Sequence, residues 1–235
     1  MRRLVCATVI AAVALVLAGC GSKTSFRYKL TLSVDTPDGV KAASTVVEMK
    51  FHEVSIPERG TQTTVTGEAL YLDLGPGNRP LIALIGKAFE NPSSRRRRYW
   101  TISGPDPFFV LRLYGDEQPA KDMLEAVERF ATWRGPRVIE IEDLPDLVTF
   151  TDITDPRSVK RVEPHSLATA LGRDVRWKSM TLEITDEPLS TGIEKRLPWL
   201  TSYFDKLLDG HKPGQRGDGS LASDMNTTSF QRRGF

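Results

Sequence analysis

Cysteine is nearly absent from this chain: Cys6 and Cys20 are the only two in 235 residues. Both stand at one end, so no disulfide framework can staple the domain, and the fold must rest on its apolar core. Histidine is almost as scarce, with His52, His165 and His211 alone. None stands beside a motif serine and no G-x-S-x-G occurs, so the usual machinery of nucleophilic catalysis is not visible. Walker-type and G-x-G-x-x-G loops are also missing, which removes the common nucleotide cradles. No apolar run is long enough to cross a bilayer. The longest, Leu4 to Leu17, is interrupted only by Thr8. As a helix it reaches roughly 21 Å, against a hydrocarbon core of about 30 Å. Charge of one sign is not in excess, with 32 Lys+Arg against 30 Asp+Glu. There is no internal repeat.

What does stand at the start is ordered. Arg2 and Arg3 precede the apolar stretch, and the small residues Ala18 and Gly19 follow it, ahead of Cys20. That is the layout of a secretory signal peptide. Leu17-Ala18-Gly19-Cys20 resembles the lipobox of bacterial lipoproteins. The resemblance implies a cut between Gly19 and Cys20 and acylation of the Cys20 thiol, often with a further chain on the new amine. It makes the membrane a partner through that anchor and places the domain in the cell envelope, facing the periplasm. Gly21 in place of the inner-membrane retention Asp implies the outer membrane. Two or three acyl chains anchor stably where one holds only marginally. Cys20 then has no catalytic or metal role. Removing residues 1–19 from 235 leaves 216, and losing Arg2 and Arg3 leaves 30 basic against 30 acidic residues. A neutral exported chain is a poor partner for nucleic acid.

The next stretch alternates. In "FRYKLTLSV" Phe26, Tyr28, Leu30, Leu32 and Val34 share one face, and Arg27, Lys29, Thr31 and Ser33 the other. This predicts a half-buried strand. Thr36-Pro37-Asp38-Gly39 is a turn, and "TVVEMKFHEV" is its partner strand. A third strand is expected in "GEALYLDLG", and a strand buried on both faces in "PLIALIG", where periodicity alone does not exclude a helix. "GPDPFFVLRLYG" reads as a loop entering a strand at Phe109. "QPAKDMLEAVERFATW" predicts a helix with Ala120, Met123, Leu124, Val127, Phe130 and Ala131 inward. "RVIEIEDLPDLVTF" offers one or two short strands, and "PHSLATALG" a short helix closed by Gly172. "VRWKSMTLEIT" is a strand whose alternation slips at Lys178-Ser179, as a bulge would produce. "LPWLTSYFDKLLDG" reads as a last helix. The polar composition after Gly210 predicts disorder.

The expectation is therefore α+β: an antiparallel strand-rich N-terminal half, mixed helices and strands later, and a disordered tail. Residues 1–19 form the signal, 20–25 the anchor and tether, 26–210 one domain, and 211–235 the tail. A boundary near Gly115 is the alternative.

Few residues suggest chemistry. His52 shares a strand face with Glu48, yet a zinc site needs three or four protein ligands. Glu140, Glu142, Asp143, Asp146, Asp152 and Asp155 supply carboxylates for a hydrolytic pair, whose separation the sequence does not give. "TFTDITD" places oxygen ligands at alternating positions but lacks the EF-hand spacing and terminal Glu. Arg95, Arg96, Arg97 and Arg98, followed by Tyr99 and Trp100, form the densest local charge. Guanidiniums beside aromatics suit anionic headgroups or acidic envelope polymers, and a solvated loop is the plainer reading. Arg216-Gly217-Asp218 and the sequon Asn226-Thr227-Thr228 lie in the expected tail and are read as uninformative. Residues 152–200, with 26–41, resemble an uncharacterised family of small proteobacterial exported or lipid-anchored proteins, a resemblance that implies the same address and no activity. No catalytic residue, metal ligand or cofactor is assigned. The reading favours a non-enzymatic envelope lipoprotein that binds or scaffolds a partner. Its alternatives are an envelope-polymer hydrolase using paired carboxylates, and a solute- or cation-binding module.

Overall fold

The computed structural model describes residues 23–53, 61–89, 99–172 and 174–233. Its architecture is α+β. The first two strands, β1 (Lys23–Thr36) and β2 (Gly39–Glu53), form a long hairpin. Phe26, Tyr28, Leu30, Leu32 and Val34 are all buried, as are Val47, Met49 and Phe51 opposite them. The turn is pinned by Thr36, whose Oγ1 accepts from Asp38 N and donates to Gly39 O.

On one side β1 pairs antiparallel with β11 (Arg176–Ile184). Ser33 faces Ser179 while Val34 faces Trp177, so Lys178 is the extra residue of a bulge where the slipped alternation placed it. On the other side β2 pairs with β3 (Thr61–Glu68). The edges are short: β8 (Arg137–Val138) beside β11, and β12 (Gln231–Arg232) beside β3. The order is β12-β3-β2-β1-β11-β8.

The expected third strand is broken in two. The chain leaves the first sheet after Glu68, and Gly67 just before it has a φ of +150°. A Cβ there would lie 2.9 Å from Val47 Cγ2, so only glycine lets the backbone pass this close. Beyond Ala69 it enters a second antiparallel sheet, β10-β9-β5-β4. This sheet contains β4 (Leu70–Leu72), β5 (Leu81–Ala83), β9 (Leu147–Phe150) and β10 (Val159–Arg161). β4 packs on β1 and β2 across the core. Residues 80–86 are all buried, as a strand covered on both faces requires. A two-stranded ribbon, β6 (Trp100–Thr101) with β7 (Gly104–Pro105), completes the sheets.

Three α-helices among the described residues cover the rest. The segment expected to enter a strand at Phe109 is α1 (Pro107–Leu113). Its apolar run fits either period, and the start decides: Asp106 accepts from Phe108 N, with proline at the first position. α2 (Met123–Phe130) is shorter than its pattern suggested, because Asp122 caps it through Glu125 N. Leu124, Val127 and Phe130 are buried, while Met123 is exposed. Phe130 meets Phe26 edge-on at 4.9 Å, closing the core at that end. α3 (Leu167–Leu171) ends on Gly172 in the left-handed region, as expected.

Two expectations are corrected. Residues 197–210 form successive turns, not a helix. Their backbone bonds close single turns, such as Leu200 N to Leu197 O and Lys206 N to Tyr203 O, and then leave the segment: Leu207 N donates to His211 O, and Leu208 N to Met225 O. The chain beyond Gly210 is also ordered through Arg233. It is poor in apolar residues, but the few it has are well placed. Ala222, Met225 and Phe230 are buried, and the Phe230 ring meets those of Trp199 and Phe150 at 5.4 and 5.9 Å. Buried residues from both sides of Gly115 belong to one hydrophobic cluster.

The buried Glu68 carboxylate ties this C-terminal segment down. It accepts from Gly192 N at 3.0 Å, Ile193 N at 2.8 Å and Gln231 Nε2 at 2.9 Å. Phe230→Ala is expected to cost about 3–5 kcal/mol, the range for deleting a buried aromatic ring. Truncation after Gly210 should cost more. Thermal unfolding measures both, and a near-unchanged melting temperature after truncation would contradict the packing.

Candidate functional site

Gly19, Cys20 and Arg95 to Arg98 lie outside the described residues. Among the described residues, the other candidates do not converge. His52 Nε2 and Gln62 Oε1 lie 3.0 Å apart across β2 and β3. Glu48 is instead paired with Arg27 at 3.2 Å and Lys50 at 2.9 Å. Burial alone would raise its carboxyl pKa, but these two cations hold it below the ordinary value. His165 sits exposed in a turn, and His211 Nδ1 lies 3.0 Å from Asp209 Oδ2.

The carboxylates serve local structure. Asp152 caps its own turn: its Oδ1 accepts from the Thr154 N–H and hydroxyl, which holds its pKa down. Asp155 bonds Arg157 in the same way, with the same direction of shift. Glu140 and Glu142 are exposed. Asp146 is buried and accepts from Ala88 N and Phe89 N at 2.9 and 3.3 Å. The backbone of buried Asp143 accepts from Trp100 Nε1 at 2.6 Å. No group of three or more His, Cys, Asp or Glu among the described residues is placed to hold a metal. No helix among them is long and apolar enough to cross a membrane.

A concave polar site does form, from residues far apart in the chain. It is an open cleft of about 170 Å³. One wall is Gly86–Ala88, continuing from β5. A second is Ile102, in the turn between β6 and β7. The third is the C-terminal segment, through Asp224, Asn226, Thr228, Ser229 and Arg232. Backbone bonds hold the walls together: Lys87 N donates to Thr101 O at 2.8 Å, and Ile85 N to Ser229 O at 3.3 Å. Gly86 permits the approach, because a Cβ there would lie 2.5 Å from Thr101 O and 2.6 Å from Ile102 O.

Arg232 spans the cleft. Its Nε donates to Thr228 O at 3.2 Å and its Nη2 to Ile102 O at 2.6 Å. Partial burial lowers its pKa. Below the β6–β7 turn lies Tyr28, fully buried, its hydroxyl without a hydrogen-bond partner among the described residues. Burial pushes this phenol well above its ordinary range, against the opposing pull of the Arg232 charge.

Sequence reading missed this site because five of its lining residues come from the segment taken as disordered. The sequon turned out to be a cap, Asn226 Oδ1 accepting from Thr228 N at 2.9 Å. In comparisons with protein families, curated proteins and solved structures, the chain matches none.

Gly86→Ala should destabilise the protein by about 1–3 kcal/mol, because backbone oxygens on the facing turn have to move. The melting temperature checks this. An unchanged value would mean that the two walls are not in contact at Gly86.

Proposed function

We propose that this protein is an acyl-anchored envelope lipoprotein with a non-enzymatic binding role. The lipobox-like Leu17–Cys20 carries the reading. The nearness of β1 in sequence supports it. Only Gly21 and Ser22 separate Cys20 from Lys23, the first residue of β1. Three residues of chain reach about 11 Å at most. An anchor at Cys20 would therefore hold the sheet end formed by Lys23, His52 and Gln62 close to the headgroups. The partners in this reading are the membrane, an anionic headgroup or envelope polymer near Arg95–Arg98, and whatever the polar cleft admits. Nucleic acid has no place in it.

The experiment is intact-mass analysis of the full chain extracted with detergent from a bacterial host. The expected species begins at Cys20 and carries two or three acyl chains, while Cys20→Ser yields an unlipidated chain. A species still beginning at Met1, or an unmodified Cys20, overturns the reading.

A further inference from the structure

The cleft walls carry hydrogen-bond donors that the fold does not spend. Arg232 uses Nε and Nη2 on backbone carbonyls and leaves Nη1 without an acceptor among the described residues. Asn226 commits its Oδ1 to the Thr228 N–H and hydroxyl, which fixes the amide orientation and leaves Nδ2 unspent. Ser229 uses only its backbone, donating to Asn226 O and accepting from Ile85 N, so its hydroxyl is unspent too. The three residues that carry these groups line one cleft.

Charge points the same way. Arg232 forms no ion pair with any carboxylate among the described residues, and its bonds run to neutral carbonyl oxygens. Tyr28 acts on it electrostatically, but a phenol held protonated by burial is no counter-ion. A partly buried guanidinium without an internal anion is an uncompensated charge, which an external anion would compensate. The one carboxylate in the lining, Asp224, is exposed at the rim. It opposes a second negative group at that end. The volume is below that of ordinary drug-sized pockets and suits a headgroup-sized moiety, not a polymer chain.

We propose that this cleft binds the anionic end of a small ligand, a carboxylate or a phosphate monoester, through Arg232 Nη1, Asn226 Nδ2 and Ser229 Oγ. The inference deepens the binding half of the function proposed above and does not depend on the anchor, whose own test is the mass of Cys20.

The test uses the full chain in neutral detergent micelles, titrated calorimetrically with inorganic phosphate and with acetate at constant ionic strength set by chloride. Saturable binding with a Kd of about 1 mM is expected for a single charge-assisted site. Arg232→Gln should weaken it by about tenfold or more, the loss of one charge-assisted contact. Ser229→Asp breaks no side-chain hydrogen bond and puts a carboxylate into the cleft, so it should abolish binding. Should Arg232→Gln fail to fold, Ser229→Asp decides alone. Micelles doped with phosphatidic acid, whose headgroup is a phosphate monoester, against phosphatidylcholine, distinguish the sources. Competition with phosphate by the first alone assigns the site to an anionic headgroup, and no competition assigns it to a free solute. Absence of saturable binding by either anion, or binding unchanged in Ser229→Asp, overturns the proposal.

Discussion

One buried carboxylate fixes where the two sheets and the chain terminus meet. Glu68 is the last residue of β3, immediately before the chain crosses from the first sheet to the second. Its backbone oxygen accepts from Thr45 Oγ1 at 2.8 Å, which holds it to β2. Its side chain gathers donors from the 192–193 turn and from β12. A buried carboxylate is costly unless its oxygens are satisfied, and hydrogen bonds to a charged group contribute about 1.5–3 kcal/mol each. Both elements are therefore obliged to reach it. Beside it, Ala69 N donates to Phe230 O at 2.7 Å, so the crossing and the terminus share backbone as well as side-chain bonds. The polar cleft exists because this junction delivers Arg232 to the turn at Ile102.

Much of the fold was legible where local pattern and tertiary environment agree. The hairpin alternates over its length because one face meets the core and the other meets water. Lys178 announced its bulge because an extra residue breaks a period of two. The short apolar run at 81–85 could only be covered on both sides. Legibility failed where long-range partners override local preference. Residues 197–210 carry helical spacing, yet the C-terminal segment and Ile153 claim groups there, the latter through Trp199 Nε1 at 3.1 Å. Composition misjudged residues 211–233 because an average over polar residues hides single anchors such as Phe230. One ring filling a gap between Phe150 and Trp199 outweighs its neighbours.

The cleft was less legible still. Its residues are ordinary types without a spacing rule: a glycine after a strand, a serine, an asparagine that reads as a sequon, and an arginine near the end of the chain. What distinguishes them is hydrogen-bonding capacity left over after folding, which no linear pattern records. The carboxylates that drew notice in the sequence are the opposite case. Asp146, Asp152 and Asp155 have their acceptor capacity taken up by nearby backbone or side-chain donors.

The position of β12 at the edge of the larger sheet has a consequence for the order of events in the life of the chain. The strand it completes ends at Glu68, more than a hundred residues earlier in the sequence. A chain emerging from its N-terminus can form the β1–β2 hairpin at once, since those contacts are local. It cannot cover β3, seat Phe230 or satisfy Glu68 until residues 230–232 have been made. Final closure is thus postponed until residues 222–232 arrive. Until then the larger sheet stays open along β3.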